Sequence, residues 1–331
     1  MKKIISLILI SILLSFGLIY KSSKKSEAII IYTSTEDYNM NLLQQRLNET
    51  FPNYEIVVEY MSTSNIATKV LEEGSSSECD IIFQLDYSYL DKLITADRLA
   101  HFDDLYDLTV FENDTITASN KNYVIPTTRN GGCVIINNKV LEDRNIEKPT
   151  SYQDLLKPEF KNLISMPSPK SSSTGYMFLL SLVNAWGEET ALEYFDGFSE
   201  NVMAYTSSGS GPVNALSNRE VAVGLGMTSQ AVDKITKGNS ELEVVFFDEG
   251  SPYALLGSSI VKGKETRKEV IDVFSYIYSS YVEESCKTFY PEPILKDKIF
   301  NVENFPSNIV YSNMNNNSLT YKENLLKKWK Y

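Results

Sequence analysis

The sequence predicts an α/β protein of two doubly wound lobes with a central ligand cleft, preceded by an N-terminal signal or anchor helix. Two observations lead to this fold class. After the N-terminal segment, short apolar strands alternate with amphipathic helices in two successive blocks, which is typical of parallel sheets covered on both faces. The roughly 300 residues that follow this segment also exceed what one hydrophobic core usually organises.

Residues 1–25 are predicted to direct export. Lys2 and Lys3 precede an apolar run without charges at residues 4–20, and further lysines follow it. The run is longer than most signal-peptide cores and slightly short of the roughly 20 residues that span a bilayer. We expect an anchor on the outer face of the membrane in preference to a signal peptide cleaved near residues 26–28, which would release the protein to the periplasm or medium. The alternative is a buried N-terminal core helix.

The first block predicts a β-α-β-α-β unit within about 60 residues. Its strands are expected at residues 28–33, 54–60 and 80–83. The first helix is indicated by Leu43, Leu47 and Phe51 at four-residue spacing. The second helix carries Ile66, Val70 and Leu71 and is expected to be capped by Ser64.

The second block begins after Pro126. The run Arg129-Asn130-Gly131-Gly132 predicts a turn before a strand at 133–136, and Thr150 or Ser151 should cap a short helix. Further strands are expected at 201–205, 220–225 and 243–247, and helices near 270–277 and 321–331. We therefore assign residues 28–125 to the first part of lobe 1, 126–248 to lobe 2, and 249–331 to a return into lobe 1 with C-terminal helices.

Composition excludes several classes of function. The net charge of −12 lacks the clustered cations that phosphate-backbone binding requires, so we expect no nucleic-acid partner. A single histidine, His101, and the absence of G-x-S-x-G or P-loop patterns argue against serine hydrolases and ATPases. Three scattered cysteines do not form a metal or disulfide framework. We predict a monomeric non-enzyme without catalytic residues, bound metal or cofactor.

Hydroxyl-rich segments precede four predicted helices, and they indicate a site for an anion. The first turn of a helix presents backbone N–H groups without partners, and hydroxyls add further donors. Arg129 near the expected crossover could supply a cation, and Tyr253 could contact the ligand. The predicted ligand-binding residues are Thr33, Ser34, Thr35, Thr63, Ser64, Arg129, Ser172, Ser173, Thr174, Gly175, Ser208, Gly209, Ser210 and Tyr253.

Each feature also has an ordinary structural explanation. Serine and threonine are preferred N-cap residues, so any one of these segments could simply cap its helix. Arg129 could be a solvated turn residue, and Tyr253 and Tyr89 could be packing aromatics. The apolar Met177, Leu180 and Leu182 are expected in the core.

The chain resembles the solute-binding proteins of bacterial ABC importers, in particular the 2-aminoethylphosphonate-binding group with its ferric-iron and sugar-phosphate relatives. The segments that carry the resemblance are KPTSYQDLLKPEFKNLISMPSPKSSSTGY (148–176), AYTSSGSGPVNAL (204–216), REVAVGLGM (219–227) and EGSPYALLGSSIVKG (249–263).

This resemblance implies a type 2 periplasmic-binding-protein fold that delivers its solute to a permease with an ATPase subunit. Ser172, Thr174 and Gly175 would then hold phosphoryl oxygens, and Ser208 with Ser210 would add donors. Thr33 to Thr35 and Thr63 with Ser64 would close from the other lobe.

Two departures from the family pattern bear on the solute. Where the aminoethylphosphonate group is expected to carry an acidic residue after the glycine of its EG motif, this chain has Ser251-Pro252-Tyr253-Ala254-Leu255. A sugar phosphate or another organophosphate is therefore open as well. Ferric relatives use paired tyrosines, where this chain has Gly226-Met227-Thr228-Ser229.

The leading prediction is a receptor for a small phosphorylated or phosphonate solute. The alternatives are a ferric-iron receptor and, more remotely, a surface hydrolase of phosphate esters, for which the sequence lacks a dense Asp/His cluster. A purely structural adhesin is the least favoured.

Overall fold

The computed structural model describes residues 27–331. The predicted signal or anchor segment at residues 1–25 lies outside them. The strands are β1 (Ile29–Thr33), β2 (Ile56–Tyr60), β3 (Ile81–Asp86), β4 (Ile125–Asn137), β5 (Ile164–Pro167), β6 (Val202–Thr206), β7 (Val223–Met227), β8 (Leu242–Val245) and β9 (Tyr253–Ile260).

The α-helices are α1 (Asp37–Thr50), α2 (Thr63–Glu73), α3 (Tyr87–Thr95), α4 (Asn138–Arg144), α5 (Ser173–Trp186), α6 (Glu188–Ser199), α7 (Gly211–Ser217), α8 (Thr228–Thr236), α9 (Lys268–Tyr276), α10 (Val282–Thr288) and α11 (Leu319–Lys328). A π-helical turn at Ile277–Tyr281 joins α9 to α10. Short 3₁₀ turns lie at Gly74–Ser76, Leu108–Val110, Asn113–Thr115, Gln153–Leu156, Pro158–Phe160 and Lys264–Thr266.

The strands follow one another in the order β2-β1-β3-β9-β4-β7-β5-β6, and β8 also pairs with β4. The first lobe is built on the sheet β2-β1-β3-β9 and the first half of β4. The second lobe is built on the second half of β4 with β5 to β8. The parallel strands β1, β2 and β3 form one α/β unit, and β5, β6 and β7 form the other. The predicted fold class is confirmed.

Alternate residues of a strand face opposite sides of its sheet, and in these strands both sets are apolar. Helices therefore cover both faces of each sheet. In β4, Val134 and Ile136 lie in one hydrophobic cluster, whereas Cys133 and Ile135 lie in another. In the first lobe, Ile81 and Ile82 divide in the same way between two clusters. The near-continuous apolar runs of the sequence are therefore doubly buried strands.

The turn predicted at residues 129–132 is wrong. These residues lie inside β4, which runs without interruption from the first lobe into the second. A Cβ on Gly132 would stand 2.4 Å from Cε of Met177 and 3.0 Å from Cζ of Phe178, so this glycine makes room for packing. The Asn-Gly pattern marks close packing of a crossover strand in this chain, rather than a hairpin.

The other predicted elements are present with shifted ends. Helix α2 begins at Thr63 after Ser62, so Ser64 is not its cap. Asp154 accepts hydrogen bonds from the backbone N–H groups of Thr150 and Ser151, and Ser151 Oγ accepts one from Asp154 N, as expected for a capped short helix. The predicted core residues Met177, Leu180 and Leu182 are buried.

Helix α11 packs on the second lobe at its carboxyl end. Leu325 and Trp329 belong to the same hydrophobic cluster as Phe195 and Phe198 of α6.

Within residues 27–331, no helix combines the length and apolar character that crossing a bilayer requires.

Candidate ligand-binding cleft

A cleft with about 500 Å³ of empty space, part of it open to solvent, lies between the two lobes. The first lobe contributes hydroxyl and acidic side chains, which are Ser34, Thr35, Glu36, Asp37, Tyr60, Ser62 and Thr63. The second lobe contributes two serine-rich segments at residues 171–174 and 207–210, together with Met227. Leu256 of the connecting strand β9 completes the lining.

The topology explains why these segments meet. Residues 34–37 follow β1, residues 62–63 follow β2, residues 171–174 follow β5, and residues 207–210 follow β6. The carboxyl ends of parallel strands share one edge of a sheet, and ligands of open α/β sheets bind at that edge. Two such edges face each other here, so four separate stretches of sequence form one surface.

The hydroxyl groups at these helix starts do not act as ordinary caps. Ser62, Ser172 and Ser210 stand at the N-cap positions of α2, α5 and α7, and none makes a side-chain cap hydrogen bond. Glu36 at the start of α1 makes none either.

Capping residue types elsewhere in the described chain behave differently. Asp86, Asn137 and Ser318 each accept a hydrogen bond from a first-turn backbone N–H group. Among the α-helices of residues 27–331 whose N-cap is serine, aspartate or asparagine, the three without a side-chain cap are thus those that begin at the cleft. This favours a ligand over capping as the explanation of their hydroxyls.

Most of the predicted site residues are brought together. Of the predicted set, the cleft is lined by Ser34, Thr35, Thr63, Ser172, Ser173, Thr174, Ser208, Gly209 and Ser210. Ser208 and Ser210 lie 3.1 Å apart between their hydroxyl oxygens. Thr174 Oγ1 donates to Sδ of Met227 at 3.3 Å. Ser34 Oγ donates to the carbonyl oxygen of Gln84 at 3.2 Å.

Three predicted residues lie outside the cleft lining but close to it in the chain. Thr33 is buried, and its Oγ1 accepts a hydrogen bond from Thr35 N at 3.1 Å, which shapes the loop after β1. Ser64 lies in the first turn of α2 outside the lining. A Cβ on Gly175 would stand 2.3 Å from the carbonyl oxygen of Pro167, so this glycine lets α5 start against the end of β5.

Arg129 and Tyr253 lie outside the cleft lining and contact each other. Arg129 Nε donates to the carbonyl oxygen of Pro293 at 3.2 Å, and its Nη2 pairs with Asp114 at 2.6 Å. The guanidinium lies 5.0 Å from the ring centroid of Tyr253. The side chain of Arg129 is 11% exposed and pairs with Asp114, so Arg129 is not a solvated turn residue. Its role as the cation for the ligand stays a prediction.

The sequence reasoning missed two groups of the first lobe that line the cleft. Glu36 is buried, and its Oε2 accepts a hydrogen bond from the Tyr290 hydroxyl at 2.9 Å. Burial raises the pKa of the Glu36 carboxyl. The sequence feature that could have identified Glu36 is its position directly after the Thr-Ser-Thr run at residues 33–35. Tyr60 lies across the cleft from Ser208 and within hydrogen-bonding reach of it. Burial raises the pKa of the Tyr60 phenol.

Among residues 27–331, no group of three or more histidine, cysteine, aspartate or glutamate side chains could share a metal ion. Tyr38 and Tyr290 lie near Glu36, but burial raises the pKa of both phenols well above the ordinary value.

Comparison with known families decides the class of protein. The family model described as bacterial extracellular solute-binding protein matches residues 77–309. The chain belongs to this family. The solute-binding protein therefore carries the fold and the extracellular setting that the resemblance implied, and its family is one of binding proteins.

Solved structures agree on the fold of this solute-binding protein. The periplasmic binding protein P5PA superposes with a TM-score of 0.79 at 21% identity, over 92% of this chain and 98% of that one. AfuA from Actinobacillus pleuropneumoniae, with exogenous fructose-6-phosphate bound, gives 0.78 at 19% identity over 91% and 97%. The apo ferric ion-binding protein A of Pasteurella haemolytica gives 0.70 at 15% identity over 92% and 96%.

A curated relative covers only part of the chain. An uncharacterized protein of Haemophilus influenzae is 34% identical over 118 residues, which is 35% of this chain and 34% of the relative. The chain thus matches about a third of that relative's length.

Proposed function

We propose that this protein captures a small solute through a phosphoryl or phosphonate group and delivers it, chemically unchanged, to the permease and ATPase subunits of an ABC importer. The observation that carries the proposal is the convergence of four hydroxyl-rich helix starts on one interlobe cleft, with none of their N-cap side chains used for capping. Unpaired first-turn N–H groups and hydroxyls are donors suited to an oxyanion.

Neutral donors can hold such an anion in an acidic protein. The cleft-lining residues within 27–331 include no lysine or arginine. Each hydrogen bond to a charged group contributes about 1.5–3 kcal/mol, and a phosphoryl group accepts several of them. The diffuse repulsion from the net charge of −12 is screened beyond roughly 8 Å at physiological salt.

The rest of the solute is expected to be polar. Outside the cleft lining, three buried side-chain atoms lack a hydrogen-bond partner within the described residues: Thr128 Oγ1, Asn130 Nδ2 and Gln230 Oε1. Thr128 pairs in the sheet with Leu256, which lines the cleft, and Gln230 Nε2 donates to the carbonyl oxygen of Ser210. Donors and acceptors without partners favour hydroxyl groups on the ligand, as a sugar or polyol phosphate would supply.

Carboxylates in the cleft also suit a solute that carries an amine. The acidic residue expected after the EG motif is absent, but Glu36 and Asp37 of the first lobe line the cleft. They could face the ammonium group of a zwitterionic phosphonate.

Calorimetric titration of residues 27–331 tests the proposal. We would titrate 2-aminoethylphosphonate, glucose-6-phosphate, glycerol phosphate and inorganic phosphate into the folded protein. Heat of binding from at least one organic phosphate or phosphonate is expected. Silence across all four, from a protein with a cooperative thermal transition, would contradict the proposal.

The ferric alternative has an optical test. Ferric tyrosinate absorbs visible light, so we expect the protein to stay colourless when ferric citrate is added. A visible absorption band that is lost on substituting Tyr60 or Tyr290 with phenylalanine would establish the iron receptor instead.

A further inference from the structure

A lysine on the C-terminal helix is buried between the two lobes. Lys322 of α11 is 2% exposed. Its Nζ donates to Ser88 Oγ at 2.7 Å and lies 3.4 Å from Oδ1 of Asp86. Both partners belong to the first lobe, where Asp86 ends β3 and caps α3. One side of this ammonium is therefore bound to the first lobe.

The other side of the same ammonium contacts the second lobe. Nζ of Lys322 lies 4.4 Å from the ring centroid of Tyr176 and 4.2 Å from that of Tyr89. Tyr176 belongs to the first turn of α5, the helix whose start at Ser173 lines the cleft. Tyr89 belongs to α3 of the first lobe. A single cation thus bridges the first lobe and the helix that presents the proposed phosphoryl donors.

The carboxyl end of α11 is fixed to the second lobe alone. Trp329 packs on Phe195 of α6 with ring centroids 5.0 Å apart. Lys328 pairs with Glu188, also on α6, and Lys330 pairs with Asp196 at 2.5 Å. Helix α11 therefore reaches from a firm attachment on the second lobe to a charged contact on the first, in addition to the crossing strands β4 and β9.

A buried lysine needs an explanation, because an apolar side chain would fill the same space without the cost of desolvating a charge. Desolvation lowers the pKa of Lys322, and the nearby Asp86 carboxylate opposes this effect. Cation–carboxylate and cation–ring contacts weaken when either partner moves away, whereas apolar packing tolerates sliding. A charge in this position therefore favours one relative orientation of the lobes.

We propose that Lys322 is a positioning residue that latches the two lobes together and holds the start of α5 in its ligand-binding orientation. The effect on affinity rests on the proposed function, but the effect on the lobes does not. The residue touches no group that lines the cleft, so it acts through Tyr176 and Asp86.

Spin labels on the two lobes test the latch without any ligand. Glu72→Cys on α2 and Lys161→Cys in the second lobe are exposed positions, and the native Cys79, Cys133 and Cys286 are buried. Double electron–electron resonance would then give the interlobe distance distribution. In the Lys322→Met variant we expect this distribution to broaden and to shift towards longer distances.

The matched control is Lys328→Met, on the same helix but exposed and paired only within the second lobe. Its distribution should equal that of the parent. An unchanged distribution in Lys322→Met would overturn the latch, whatever the protein binds. A broadened distribution in a protein that binds none of the four titrated compounds would leave the latch standing and remove the proposed solute class.

A second variant covers the case in which Lys322→Met does not fold because Asp86 is left buried and unpaired. Asp86→Asn combined with Lys322→Met removes both charges and keeps a capping residue at the start of α3. The same broadening is expected, and its absence in this variant would overturn the proposal equally. Where a compound binds, its affinity should fall at least severalfold in the latch variants and remain at the parent value in Lys328→Met.

Discussion

The hydroxyl of Tyr38 in the first lobe donates a 3.1 Å hydrogen bond to Oγ of Ser229 in the second. Tyr38 lies in the first turn of α1, and Ser229 lies in the first turn of α8. Since both helices start near the cleft, this bond forms only when the lobes are close together. It reports directly on closure.

Tyr38→Phe should weaken closure while preserving the packing of the ring against Phe289. Loss of one neutral hydrogen bond costs about 1 kcal/mol, so ligand affinity should fall roughly fivefold. Calorimetry with a binding compound measures it, and a double-mutant cycle with Ser229→Ala should show a matching coupling energy. Tyr54→Phe is the control, because that hydroxyl bonds Asp272 within the first lobe. Equal losses in both variants would argue against a closure role.

Alanine at Ser172 and Thr174 together should abolish most of the binding energy with little effect on stability. Two donors to a charged group contribute about 3–6 kcal/mol to affinity. The unliganded protein should lose no more than about 1 kcal/mol, the usual value of a cap. Calorimetric titration measures the loss of affinity, and thermal unfolding measures the loss of stability.

Ser151→Ala is the matched control for that pair. Its hydroxyl accepts a hydrogen bond from Asp154 N at the short helix Gln153–Leu156 and lies outside the cleft lining, so stability should fall while affinity holds. Equal loss of stability and binding in the Ser172/Thr174 variant would mean that its segment is structural.

Gly175→Ala should destabilise the protein and disturb binding. The added Cβ would meet the backbone of Pro167 at 2.3 Å and that of Ser168 at 2.7 Å, and backbone atoms cannot move aside cheaply. A loss of about 1–3 kcal/mol in the free energy of unfolding is expected, as for other overpacked sites.

Gly197→Ala on α6 provides the opposite case. Its Cβ would meet only Cδ2 of Leu156, at 3.5 Å, so helix propensity should dominate and raise stability by about 0.5–1 kcal/mol. Denaturant unfolding compares the two variants, and the same sign for both would refute the packing argument.

Glu292 is expected to make stability depend on pH. This carboxyl is buried against β4, where its Oε1 accepts a hydrogen bond from Gly131 N at 3.2 Å, and its Oε2 has no partner among the described residues. Burial raises the pKa of Glu292 from 4.5 to about 7. Between those values the folded state holds a proton that the unfolded state has released. The free energy of unfolding therefore falls as the pH rises through this window.

Glu292→Gln should remove this pH dependence. The difference between the folded and unfolded pKa of Glu292 corresponds to a loss on the order of 3 kcal/mol in the free energy of unfolding above pH 7. The Glu292→Gln variant should therefore be more stable than the parent at pH 8 and nearly equal to it at pH 4. Chemical denaturation at both pH values measures it. Glu283→Gln, at an ion-paired site nearer the surface, should show no comparable gain at pH 8. A parent as stable at pH 8 as at pH 5 would contradict the raised pKa.

The sequence by itself determined the alternation of strands and helices, the two-lobed α/β class and the hydroxyl-rich helix starts. These features are local, because apolar runs, capping residue types and glycines act within a few neighbours along the chain. The same locality led to the wrong prediction of a turn at residues 129–132, where Gly132 instead makes room for Met177 and Phe178 across the fold.

Only the tertiary structure decided which groups face the cleft and which serve other parts of the fold. It turned Arg129 towards Asp114 and Tyr253, placed Glu36 and Tyr60 in the lining, and buried Lys322 between the lobes. These outcomes depend on contacts between residues far apart in the chain. A side chain's partners there are set by how strands and helices pack, and no short stretch of sequence contains that information.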